Sequence, residues 1–166
     1  MRKFTTLLAL ILGLIPLCAA GAFAQPSGTS VKPIASTAMS TPDMTIDLMV
    51  VERKAGVLTI KWAVRNAGAK DATVDFSLVG RSVTTYAVDE ENGAKYYVLT
   101  DKEGHALASE HEYLGSDTYG VEDTVKAGAT GRYWMKLPAP PAEVKSIGIF
   151  FTGADPFDGV TITEKQ

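Results

Sequence analysis

The stretch "DEENGAKYYVLTDKEGH", Asp89 to His105, sets two acid-and-glycine clusters on either side of a short apolar run. Asp89, Glu90, Glu91 and Asn92 on one side, and Asp101 and Glu103 on the other, offer the hard oxygen donors that calcium takes. The intervening "AKYYVLT" alternates Tyr97 and Leu99 with Tyr96 and Val98 as a strand does, and at about 3.3 Å per residue it holds the clusters roughly 20 Å apart. One ion cannot be shared across that distance. Neither cluster alone follows the D-x-[DN]-x-[DN]-G pattern with a closing bidentate Glu. The spacing therefore predicts two hairpin turns, with Gly93 and Gly104 at positive φ and the acids in water. A weak calcium or small-ligand site, built from one cluster and a distant loop, is the alternative.

The remaining residues with chemistry to offer are few. His105 and His111 are the two histidines. Ser109, His111 and Asp117 make a proton relay on paper, but no nucleophile-elbow motif marks the serine. In Glu110-His111-Glu112 an extended chain throws both carboxylates to the face opposite the imidazole. Zinc-ligand spacings, phosphate-binding glycine loops and paired helical histidines are missing from the sequence. Met39, Met44 and Met49 could present thioethers to copper, yet Met44 and Met49 fall on opposite faces of an extended chain, which favours packing. This inventory points to a protein that is not an enzyme and implies no cofactor and no resident metal.

The elements that would position such groups are strands. Met44, Ile46, Leu48 and Val50 share one face of "MTIDLMVVE". Leu58, Ile60, Trp62 and Val64 alternate with polar residues in "VLTIKWAVRN", and the same period of two recurs at Val74, Phe76 and Leu78, at Tyr133, Met135 and Leu137, and at Ile147, Ile149 and Phe151. Turn chemistry separates these runs at Ala55-Gly56, Asn66-Ala67-Gly68, Asn92-Gly93, Glu103-Gly104, Pro140-Pro141 and Asp158-Gly159. The pattern predicts an all-β domain from about Pro42 to Lys165, a two-sheet antiparallel immunoglobulin-like sandwich of seven to nine strands, with a barrel as the other arrangement. Trp62 is expected in the core. Trp134 shares its face with Arg132 and Lys136 rather than with Tyr133 and Met135, so a regular strand turns it outward, either into a partner surface or under a neighbouring loop.

The first 24 residues carry Arg2 and Lys3, an apolar stretch from Leu7 to Leu17, and small residues at Ala22 and Ala24. That is the three-part pattern of a secretory signal peptide, with cleavage expected after Ala24 and a periplasmic or extracellular destination. Cys18 is the one cysteine. A lipoprotein signal would acylate it, but Leu17 stands where such a signal wants a small residue. The Ser, Thr, Pro and Gly of residues 25–41 predict a flexible leader. Without Arg2 and Lys3, 14 basic residues face 19 acidic ones, a net charge of −5. No run of Lys and Arg follows a phosphate backbone or an anionic lipid surface, so neither nucleic acid nor stable membrane insertion is expected.

The stretches "VRNAGAKDATVDFSL", "YAVDEENGAKYYVLTDKEGHALASE" and "VKAGATGRYWMKLPAPPAEVKSIGIFF" resemble secreted bacterial immunoglobulin-like sandwich domains of the telokin-like, mycobacterial immunoprotective-antigen type, across most of residues 44 to 163. Some of those domains precede peptidoglycan-binding outer-membrane modules. No counterpart of that module occurs among these 166 residues, so the resemblance implies no wall anchoring. It brings no catalytic residues. A fainter likeness over residues 60 to 100 is to the proteinase inhibitor domain of bacilli. The expected function is a secreted binding module for another envelope or extracellular protein, working through a loop or an exposed sheet face. Its candidate contacts are Trp134, Arg132 and Lys136, with Asp117 and Tyr119 in the loop "GSDTYG". A proteinase inhibitor is the alternative, with the proline-stiffened "LPAPPAEV", Leu137 to Val144, as its protruding loop.

Overall fold

The computed structural model describes residues 32–165. They form twelve strands with no helix: β1 (Ala35–Ala38), β2 (Met44–Lys54), β3 (Val57–Asn66), β4 (Ala72–Gly80), β5 (Tyr86–Asp89), β6 (Ala94–Tyr96), β7 (Glu112–Gly115), β8 (Thr118–Val125), β9 (Thr130–Pro138), β10 (Ser146–Phe150), β11 (Phe157–Thr161) and β12 (Thr163–Glu164). The all-β sandwich class expected from the alternation is what forms. The strand count exceeds the expected seven to nine, because β1, β6, β7 and β12 are two to four residues long and carry no apolar alternation.

The largest sheet runs β1-β2-β3-β9, with β12 also pairing β2; a second runs β11-β10-β5-β6 and a third β4-β8-β7. Every pairing is antiparallel except β12 with β2. The second and third sheets are tied where Thr85 N–H donates to the Ser77 carbonyl at 3.1 Å and Ser77 N–H to the Thr152 hydroxyl at 3.3 Å. All three turn their buried faces into one core. Trp62, 1% exposed, lies at its centre. Its ring meets Phe76 at 5.3 Å, Tyr133 at 5.7 Å and Phe151 at 4.8 Å between centroids. Each such aromatic pair contributes about 0.5–1.5 kcal/mol beyond the area it buries.

Two expectations change at the start of the domain. The segment Ala35–Ala38, read from composition as the end of a flexible leader, is a strand paired residue by residue with Leu48 to Thr45. The Ser36 hydroxyl explains it: it donates to Asp47 at 2.6 Å, and Asp47 also holds Arg65 of β3 at 2.5 Å. A polar cross-strand ladder orders β1 where hydrophobicity could not. The ordered domain thus begins before Pro42. The expected signal peptide lies outside the described residues. The second change is a bulge in β2 between Leu48 and Val50. The extra residue shifts the alternation, so Val51 rather than Val50 enters the core beside Leu48.

Buried polar groups close the ends of the sandwich. Asn66 donates to the carbonyls of Lys70 and Val125 at 2.8 and 2.9 Å and accepts from Gly68 N–H at 2.9 Å, joining the β3 to β4 crossover to the end of β8. The Arg53 guanidinium, also buried, donates to the carbonyls of Pro140 and Pro141 at 3.0 and 2.6 Å and pairs with Glu164 of β12. That cation satisfies the proline crossover and the C-terminal strand together.

The turn from β2 to β3 places Ala55 at φ 49° and Gly56 at φ 77°, the left-handed pair of a type I′ hairpin. Ala55 has a Cβ that disfavours this region by roughly 1–2 kcal/mol, whereas Asn tolerates it. Ala55→Asn is expected to raise the unfolding free energy by about 0.5–1 kcal/mol in urea titration with an unchanged m-value, and no gain would mean that this turn is not left-handed.

Candidate functional site

The two acid clusters, Asp89 to Asn92 and Asp101 to Glu103, are hairpin turns. Asp89 accepts from the backbone N–H groups of Glu91 and Asn92 at 3.1 and 3.2 Å and from the Asn92 amide at 2.8 Å. These donors, the Asn92 amide first, hold its carboxyl below the usual carboxylate range. Asp101 likewise accepts from Glu103 and His105 N–H groups at 3.0 and 2.8 Å. Gly93 and Gly104 sit at φ 71° and 90°. Asp89, buried rather than in water as expected, and Asp101 each close their own turn, while Glu90 accepts from Gly159 N–H at 2.9 Å. The strand expected between them is shorter than "AKYYVLT": pairing with β5 ends at Tyr96, and Leu99 then donates to the Lys136 carbonyl at 2.9 Å. The chain leaves one sheet to cover the edge of another.

Ser109, His111 and Asp117 are not assembled into a relay. Ser109 Oγ accepts from Trp134 N–H at 2.9 Å, His111 Nδ1 faces the Ser109 carbonyl at 3.1 Å, and Asp117 pairs with Arg81 at 3.2 Å. Among the described residues no group of three or more His, Cys, Asp or Glu could hold a metal.

The five candidate contacts fall in three places. Tyr119 and Asp117 belong to the third sheet, where "GSDTYG" forms a tight hairpin between β7 and β8. Ser116 and Asp117 take its left-handed positions at φ 50° and 55°. Tyr119, 46% exposed, packs its ring 5.3 Å from that of Tyr113. Arg132 is exposed, but it lines a cleft of about 410 Å³ with His111, Glu122, Asp123 and Tyr133. The proline loop from β9 to β10 is held from beneath by Arg53, as a crossover between sheets requires.

Trp134 and Lys136 stay together on the outward face of β9. Tyr133, Met135 and Leu137 point into the core, and Trp134 is 37% exposed with Lys136 Nζ 5.8 Å from its ring centre. Both sides of its backbone are occupied. Trp134 pairs with Lys61 of β3, and its carbonyl accepts from Ser109 N–H at 2.9 Å on the other side. Around it lies a shallow depression of about 450 Å³ lined by Glu52, Lys54, Thr59, Lys61, Lys136 and Lys165. Lys54, Lys61 and Lys165 were missed in the sequence, where 111 positions separate the first from the last. They meet because β3 and β12 both pair β2.

Comparison with family models, with curated proteins and with solved structures returns no match.

Beneath the neighbouring cleft, Tyr133 is buried and donates to Asp123 at 2.8 Å. Burial first, and that bond second, push its hydroxyl well above the ordinary value of 10.0. Because the folded value is the higher one, the stabilisation is complete below pH 10 and is lost as pH rises past it. Unfolding free energy should fall above about pH 10, and Tyr133→Phe should flatten that slope; equal slopes in both proteins would place the hydroxyl in solvent.

Proposed function

We propose that this protein is a secreted, non-enzymatic sandwich module that binds another envelope or extracellular protein through the outward face of β2, β3 and β9. The observation that carries this reading is Trp134. A large aromatic side chain, partly exposed and lining a depression, sits on a strand whose backbone is hydrogen-bonded on both sides. Tryptophan contributes disproportionately to protein interfaces, and a rigid sheet presents it with little ordering cost on binding. The secretory reading rests on the first 24 residues of the sequence. The resemblance to secreted sandwich domains, which carries no catalytic residues, agrees with a binding role.

The test is site-directed photo-crosslinking in intact cells, with a benzophenone amino acid replacing Thr59 beside Trp134 or Thr73 on β4 of the third sheet. One dominant protein captured from position 59, absent from position 73 and lost when Trp134→Ala is added, is the expected result. Equal capture from both positions, or capture indifferent to Trp134→Ala, would contradict the reading.

A further inference from the structure

Resting on the reading just given, we infer that the segment received by the Trp134 face is acidic: a short stretch of partner polypeptide that lays an apolar group on the indole and sets carboxylates against Lys61 and Lys136. The depression gathers Lys54, Lys61, Lys136 and Lys165 with one lining glutamate, Glu52. The whole chain carries −3. A cationic patch on an acidic protein costs self-repulsion, and a complementary partner removes that cost.

The pairing of these charges narrows the assignment. Glu52 is already engaged by Lys165 at 3.2 Å. Lys61 and Lys136 have no carboxylate within 4.0 Å among the described residues. Lys61 lies directly across from Trp134, and Lys136 across from Thr59. Residues two apart on an extended segment rise about 6.8 Å, the step between Trp134 and Lys136 on β9. A bound strand that lays an apolar group on the indole can therefore set the residue two further on against Lys136, with Lys61 one strand away across from Trp134. Trp134 is the one aromatic residue among those lining the depression. A nucleic acid would instead be followed by an extended basic track with repeated stacking platforms, whereas this face presents one exposed tryptophan.

The experiment follows the two indole N–H resonances of the full chain by NMR. Trp62 is buried and serves as an internal control; Trp134 is assigned by its loss in Trp134→Phe. A twelve-residue poly-L-glutamate peptide is the probe, and heparin and oligo-dT are the competing polyanions. The expected result is a shift of the Trp134 resonance alone, with affinity falling at least about tenfold between 50 and 500 mM NaCl. The double variant Lys61→Glu/Lys136→Glu should abolish the shift while leaving the Trp62 resonance in place. Tighter binding of heparin or oligo-dT than of the peptide would overturn the assignment in favour of another polyanion. A Trp134 shift that grows with protein concentration alone would overturn it in favour of a second copy. A partner captured through Thr59 that binds the double variant undiminished would overturn the acidic segment while leaving the binding face intact; loss of Trp134-dependent capture would remove the face itself.

Discussion

The structure depends on the packing of Trp62 against Phe76, Tyr133 and Phe151. These four rings come from β3, β4, β9 and the residue after β10, so one contact set spans all three sheets. Because side chains alternate along a strand, placing Trp62 and Tyr133 in the core fixes which residues of β3 and β9 face water. Lys61, Trp134 and Lys136 are exposed for the same reason that their neighbours are buried. A slip of one residue would exchange the two sets. The interior thus sets the chemistry of the outward face, and the surface needs no separate scaffold.

Polar groups at the ends do what the apolar core cannot. Asn66 and Arg53 are buried, and both meet carbonyls left over where strands end. An unsatisfied buried carbonyl costs on the order of 1–3 kcal/mol, so these side chains determine where crossovers can run. Arg53 also fixes β12 beside β2, which brings Lys165 to the margin of the Trp134 depression. A structural cation of the core therefore helps to position a cation of the surface. Among the described residues Trp62 Nε1 is a buried side-chain donor with no acceptor.

Much of this was legible in the sequence, and particular residues say why. Leu58 to Val64 and Tyr133 to Leu137 are regular runs, and their period of two gave the core, the all-β class and the outward Trp134. The glycines at 93 and 104 gave the two turns. What the sequence withheld was pairing. Ser36 orders β1 through an aspartate eleven positions away; and the bulge after Leu48 moves Val51 inward in place of Val50. The lysine cluster is the largest such omission, since only adjacency of β2, β3, β9 and β12 assembles it. Arg132 keeps the alternation and is exposed like Trp134 and Lys136, but it lines a separate cleft, which the count of residues along β9 could not show.

The most direct test of this account is hydrogen exchange at the two indole N–H groups, because both the core and the binding face follow from one inside and one outside tryptophan. Trp62 should exchange only through global unfolding, with protection that tracks the unfolding free energy measured in urea, while Trp134 should exchange close to the rate of a free indole. Similar rates at the two positions, or protection of Trp134 in place of Trp62, would contradict the register of β3 and β9 and with it the face assigned to binding.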